Sequence, residues 1–258
     1  MNNVFYIGAT GLRAQQVGVD AVANNVANVN TPAYKRSAVN FSEMVGLTSA
    51  ADPTAGLSRS TAAPGLGVAA SAAPKVLDAG DLRKTDSALD VAVRGAGFIE
   101  LLAPAGQTLL WRGGTLRVNA DGSLAAANGL PLKSSISVPR DATSVLIADN
   151  GQVFATTSGS AGAQPIGQIE LVAVRDGRAL TALGDGLYQL TDALADSTRG
   201  QPGEGGLGLL AQGYLETSNV KMVDEMVGML LMQRAYAANA RVVQAADEMM
   251  NTVNQLRR

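Results

Sequence analysis

Ala23-Asn24-Asn25-Val26-Ala27-Asn28-Val29-Asn30-Thr31-Pro32-Ala33-Tyr34-Lys35-Arg36 is the stretch in which an apolar period gives out. Leading into it Phe5, Leu12, Val19 and Val26 recur every seven residues, and Val22 and Val29 take the second seam position of the same heptad. That pattern predicts a helix over residues 3 to 29, about 40 Å long at a rise of about 1.5 Å per residue. Pro32 lacks a backbone donor and disfavours the helical region for Thr31, so residues 28–32 read as its terminator. Gly8, Gln15 and Gly18 weaken the seam, which implies a helix that needs a partner to persist. An amphipathic helix packed on its own domain satisfies the same residues.

A second long helix closes the chain. Thr217, Ser218 and Asn219 offer caps, Asp224 and Glu225 lie in the opening turns, and Arg257 with Arg258 stand at the other end, so charge complements the helix dipole twice. Leu231, Ala235, Ala238, Val242, Ala245, Met249, Val253 and Leu256 form one stripe at steps of three and four. Met222, Met226, Met229, Gln233, Tyr236, Ala240 and Val243 form another on an adjacent face. Two faces call for two partners: the first helix and a neighbouring subunit, or a single multi-helix core within the chain. The residues expected to pack helices or subunits together are Leu12, Val19, Val22, Val26 and Val29, then Met226, Leu230, Leu231, Tyr236, Val242, Met249 and Leu256.

Between the helices the pattern changes twice. Residues 46–73 are rich in Ala, Ser, Thr, Gly and Pro and keep no period, which suits a flexible linker or an extended arm ordered by neighbouring subunits. From 88 to 190 the reading is antiparallel β. Leu89, Val91 and Val93 alternate with Asp90, Ala92 and Arg94 as in a half-buried strand. Asp121-Gly122, Asn128-Gly129, Asn150-Gly151, Asp176-Gly177 and Asp185-Gly186 supply the positive φ that tight hairpins need. Phe98, Trp111, Phe154 and Tyr188 are expected core anchors. The boundaries that follow are an N-terminal helix with its turn over 1–45, an extended segment over 46–75, a β domain over 76–212 and a C-terminal helix over 213–258. The class is α+β, with the terminal helices forming a coiled-coil-like core.

Composition narrows the function. The chain has no His and no Cys, which removes the commonest general base, the commonest metal ligand and the thiol nucleophile. A net charge of −2 leaves no basic stripe for nucleic acid. No segment reaches the roughly 18 apolar residues of a membrane span, and no cleaved signal peptide is expected. Gly203-Glu204-Gly205-Gly206-Leu207-Gly208 matches a dinucleotide fingerprint in letters only, because a polar loop precedes it and Glu204 would repel a pyrophosphate. The acidic pairs Asp78 with Asp81, Asp224 with Glu225, and Asp247 with Glu248 lack further ligands at metal spacing. No catalytic, cofactor-binding or metal-binding residue is nominated, and the expected partner is protein.

Three separated motifs resemble the bacterial flagellar axial proteins (rod, hook and hook-filament junction). They are the opening stretch above, the run from Asp78-Ala79-Gly80-Asp81-Leu82 through Leu89-Asp90-Val91-Ala92-Val93 to Gly95-Ala96-Gly97-Phe98, and Gly213-Tyr214-Leu215-Glu216-Thr217-Ser218-Asn219-Val220 with Gln233-Arg234-Ala235-Tyr236. Asn24, Asn25, Asn28, Thr31, Tyr34, Lys35, Thr217, Ser218, Asn219, Gln233 and Arg234 are the positions that carry it. Length and the single modest β domain most resemble the distal-rod branch, since hook proteins usually carry larger inserted domains. Ala33 departs from the glycine that many members have there, and its Cβ would restrict the turn before Tyr34. The resemblance implies a structural subunit of a hollow helical rod in the basal body, spanning the periplasm. It also implies export through the flagellar type III apparatus without signal cleavage. Other copies of the chain, other rod and hook proteins and surrounding ring proteins would be its partners, with no small-molecule substrate and no membrane insertion. Proximal rod or hook proteins, and an unrelated secreted β-rich binding or hydrolytic module, are the alternatives.

Overall fold

The computed structural model describes residues 2–45, 65–103, 108–159, 162–175, 177–190 and 197–256. The chain is α+β, with a long helix at each end and an antiparallel β region between them. It divides into two compact units, residues 1–26, 37–73 and 222–258 in one, and residues 27–36 and 74–221 in the other. Most of the extended segment expected over residues 46–75 lies outside the described residues.

In the first unit α1 (Asn2–Ala27) and α2 (Met222–Leu256) are joined by a two-stranded sheet of β1 (Ser37–Val45) and β2 (Gly65–Lys75). α1 ends just before the Asn-Pro stretch, as the loss of the proline donor requires. Its buried positions are Gly8, Gly11, Ala14, Gly18, Val22 and Asn25, a stripe at steps of three and four. Small residues there let the two helices approach closely. A Cβ at Gly8 would come within 2.5 Å of Val243 Cγ2, one at Gly11 within 2.8 Å of Asn239 Nδ2, and one at Gly18 within 2.7 Å of Met232 Sδ. Moving up α1 thus means moving down α2, and the two helices are antiparallel.

The second unit is built from antiparallel pairs throughout its described strands. A six-stranded sheet runs in the order β13 (Leu180–Gly184), β14 (Leu187–Leu190), β6 (Thr108–Trp111), β5 (Phe98–Leu102), β12 (Leu171–Val174) and β15 (Ser197–Gly200). A four-stranded sheet follows the order β16 (Leu209–Gln212), β4 (Asp90–Arg94), β7 (Gly113–Val118) and β8 (Leu124–Ala126). Three strands, β11 (Gln164–Gln168), β10 (Gln152–Thr157) and β9 (Ala142–Ile147), make a third sheet, and β3 (Leu82–Lys84) pairs with β17 (Tyr214–Glu216).

Alternation along β5, β6 and β12 sends side chains to two separate cores. Ile99, Leu109, Trp111 and Leu171 join the large cluster with Val91, Val93 and Leu210. Phe98, Leu110, Val172 and Tyr188 form a smaller one on the opposite side. Phe98 and Tyr188 meet edge to face at 5.4 Å. Phe154, read as an anchor with them, is only half-buried.

β4 differs from its sequence reading. It lies between β16 and β7 in its sheet and is buried on both faces from Asp90 to Val93. Asp90 is tolerated inside because the hydroxyls of Thr85 and Thr115 each donate to its carboxylate at 2.7 Å. The turn dipeptides do adopt positive φ at Gly122, Gly129, Gly151 and Gly186, while Gly177 opens a short 3-10 turn.

Candidate functional site

In the second unit three distant pieces of chain converge on one carboxylate. Lys35 Nζ lies 2.6 Å from Glu216 Oε1, and Arg112 Nε lies 2.7 Å from Glu216 Oε2. Gly80 N donates to the same Oε1 at 2.8 Å, and Lys35 Nζ also donates to Asp78 O at 2.7 Å. All three charged side chains are buried.

Two cations against one carboxylate leave an excess positive charge in a poorly solvated place, and carbonyl oxygens absorb it. The Arg112 guanidinium donates to Gly97 O, Gly95 O and Val93 O and sits 5.7 Å from the Phe98 ring centroid. Burial, the largest influence, pulls the Lys35 ammonium below the usual lysine range, and the charge of Glu216 works against it. Burial together with the Glu216 charge holds the Tyr188 phenol protonated well above its ordinary range.

The backbone around this cluster explains the motif residues. Beyond α1, Thr31 N donates to Asn28 O and Tyr34 N to Thr31 O, making two successive turns, and Ala33 N donates to Glu216 O at 2.8 Å. Ala33 takes φ +56°, the left-handed conformation that favours glycine, so its methyl group carries about 1–2 kcal/mol of strain. Asn219 Oδ1 accepts from Arg36 N, while its Nδ2 donates to Val76 O and Asp78 O. Thr217 Oγ1 donates to Asp81 O. Asn219 and Thr217 therefore do not cap α2, as expected from their place before it; they lace the chain entering α2 to residues 36 and 76–81. Ser218 Oγ accepts from Val220 N, still two residues short of the helix.

Gly80 is where this lacing is tightest. A Cβ there would lie 2.0 Å from Thr217 O, a backbone atom that has nowhere to swing. Gly80→Ala is expected to separate the two segments and cost roughly 1–3 kcal/mol, as overpacking does. Urea unfolding should show it as a lower midpoint at unchanged slope.

The first unit holds the rest of the expected residues. Val22 and Asn25 are buried, Leu12, Val19 and Val26 half-buried, and Asn24 exposed. Asn25 links the helices: its Nδ2 donates to Glu225 Oε2 at 3.1 Å, and it exchanges hydrogen bonds with Ser37 N and O. On α2, Met226, Leu230, Leu231, Gln233, Arg234, Tyr236, Val242, Met249 and Leu256 are exposed. In the second unit Val29, Asn28, Thr31 and Tyr34 are half-buried and Lys35 is fully enclosed. Glu216, Arg112, Asp78 and Gly80 were not among the expected site residues.

Among the described residues no group of three or more His, Cys, Asp or Glu is placed to hold a metal ion, and no helix is long and apolar enough to cross a membrane. A cleft of about 340 Å³ in the second unit is lined by Tyr34, Lys75, Asp185 and Tyr188, with Lys75 Nζ 4.7 Å from the Tyr34 ring centroid.

Three family models match the chain. They are described as flagella basal body rod protein over residues 5–35, flagellar hook protein FlgE/F/G D1 domain over 92–155, and flagellar basal body rod FlgEFG protein C-terminal over 211–256. Relatives match along nearly the whole length. The flagellar basal-body rod protein FlgG of Caulobacter vibrioides is 34% identical over 254 residues, 96% of this chain and 97% of that one. The protein of the same description from Buchnera aphidicola subsp. Schizaphis graminum is 35% identical, covering 97% and 98%. That from Bacillus subtilis is 31% identical, covering 98% of each.

Proposed function

The chain belongs to the flagellar basal-body rod protein family, and from that premise we propose that it is the subunit of the distal rod, polymerising helically into a hollow drive shaft. Such a shaft transmits motor torque to the hook and leaves a channel for exported subunits. The role is structural.

The observation that carries this reading is α2. Leu230, Leu231, Val242, Met249 and Leu256 all stand exposed along one helix, far more apolar surface than a lone soluble chain ordinarily leaves in water. In a polymer each copy covers that surface on its neighbours. Paired contacts also step by seven in both helices, Gly11, Gly18 and Asn25 against Asn239, Met232 and Glu225. That period supports an antiparallel coiled coil as the repeating unit of the inner tube. Other rod proteins, the hook and the surrounding ring proteins are the remaining partners. Passage through the type III apparatus in an unfolded state suits a helical pair whose apolar surface is completed only on assembly.

Electron microscopy of basal bodies from a strain lacking the gene tests the proposal. Truncated rods without hooks are expected, restored by the gene in trans. Complete rods carrying hooks in that strain would overturn it.

A further inference from the structure

Each helix of the first unit carries a charged stripe on the side that looks away from its partner. On α1, Tyr6, Arg13 and Asp20 recur every seven residues with Ala9, Gln16 and Ala23 between them, and all six are exposed. They lie about half a turn round the helix from the buried line of Gly11, Gly18 and Asn25 that receives α2. On α2, Val227, Arg234, Arg241 and Glu248 recur at the same spacing and are likewise exposed. They stand about half a turn from Glu225, Met232 and Asn239, the residues that meet α1. Neither stripe serves the seam between the two helices, yet both keep its period.

The charges on these stripes are not spent within the chain. Arg13, Arg234, Arg241 and Glu248 form no ion pair among the described residues, and Asp20 accepts only from Gln16 Nε2, at 2.9 Å. Gly18 meets Met232, so Asp20 lies level with Leu230, and Arg241 stands about 16 Å further along the pair on its far side. Within one copy the two cannot meet. Set antiparallel, as α1 and α2 already lie, the two stripes fit in one heptad register. With Asp20 opposite Arg241, Arg13 falls opposite Glu248, and Arg234 falls at the carbonyl end of α1, whose last turn has no basic residue of its own. Sliding by one heptad sets Arg13 against Arg241, and sliding the other way sets Asp20 against Glu248. The register of opposite charges also places Ala23 opposite Ala238, where two helices can approach closely.

We propose that the outer stripe of α2 in one subunit packs antiparallel on the outer stripe of α1 in a second copy of this chain, with Arg241 facing Asp20. This rests on the rod-subunit reading and names one contact of the polymer. Two different faces meet, so every copy added presents the same two faces again and the contact does not close on itself. An α1–α1 contact would also pair Arg13 with Asp20, but it is two-fold, ends growth at a dimer and leaves Arg241 and Glu248 unanswered.

Charge exchange and cross-linking test it in the full chain, in flagellated cells. Asp20→Arg and Arg241→Asp each set like charges against one another at every repeat of the polymer. Each single variant should lose hooks while its subunit stays folded by circular dichroism, since both positions are exposed; combined, they should recover hooks. Asp20→Arg with Arg13→Asp restores an α1–α1 pairing instead and should leave the hooks missing. The protein has no cysteine of its own, so Ala23→Cys with Ala238→Cys reports cleanly. Oxidised basal bodies should yield a ladder of covalent oligomers. Normal hooks in both single variants, no recovery on combining them, recovery with Arg13→Asp instead, or a subunit that stays monomeric on oxidation would each overturn the contact. The rod reading would survive those results, because it fails only if the null strain builds complete rods and hooks.

Discussion

Glu216→Gln will destabilise the β unit by roughly 3–5 kcal/mol, the usual consequence of removing one partner from a buried ion pair. The expected loss sits at the top of that range because Glu216 neutralises two cations. Without its charge, Lys35 and Arg112 remain buried and repel one another, and only carbonyl oxygens face them. Lys35→Met provides the internal comparison. It leaves Glu216 with Arg112 as a one-to-one pair and should cost distinctly less than Glu216→Gln. Urea unfolding of the three proteins gives the order directly. Equal midpoints for wild type and Glu216→Gln would show that the cluster contributes packing and not charge compensation.

A stability loss there reaches further than the β unit's own core. Lys35 follows the turns that end the first helical segment, and Glu216 precedes the chain's entry into the last one, with Asn219 laced to Arg36 beside them. One buried cluster thus holds the segment that follows α1 to the segment that precedes α2. Limited proteolysis of Glu216→Gln should therefore cut near residues 30–36 and 214–220 before it cuts β4 or β5.

Little of that cluster was legible in the sequence, for a physical reason. Periodicity and capping are local signals, whereas Lys35 and Glu216 lie 181 residues apart. Asn219 and Thr217 stand where caps would stand, and a local reading assigns them to α2 when their hydrogen bonds go to residues 36, 76, 78 and 81. Arg112 carried no mark at all, because a buried arginine looks like a surface one until its carbonyl partners are in view. Asp90 was misjudged in the same way, as the polar side of a half-buried strand.

The helical seam was misweighted in an instructive direction. Hydrophobic periodicity measures apolar area, so Gly8 and Gly18 counted as weak points. In the structure they are the points of closest approach, where any side chain would strike Val243 or Met232. Other features were legible because their causes are local: the end of α1 before Pro32 and the turns at Gly122, Gly129 and Gly151. Ala33 belongs with them. The absent glycine at that position marked a backbone constraint, and the structure places the residue at positive φ.

Leu230→Arg will abolish motility while leaving the isolated subunit as stable as wild type. Leu230 is 58% exposed on α2, so arginine there meets water in the monomer, and surface substitutions of this kind usually change stability by less than about 0.5 kcal/mol. On the assembly proposed above a neighbour covers the same position, and an unpaired guanidinium buried between helices costs several kcal/mol. That cost recurs at every subunit added, so growth stops at its first steps. Val22→Asp separates this effect from simple misfolding. Val22 is 7% exposed on the seam between α1 and α2, and a carboxylate there should disrupt the helical pair within a single chain. Circular dichroism of the two purified variants should therefore diverge, with helix content kept in Leu230→Arg and lost in Val22→Asp, while neither supports a hook. Swimming cells with Leu230→Arg would mean that this face of α2 looks into open space in the finished rod, and the assembly surface would have to lie elsewhere on the helix.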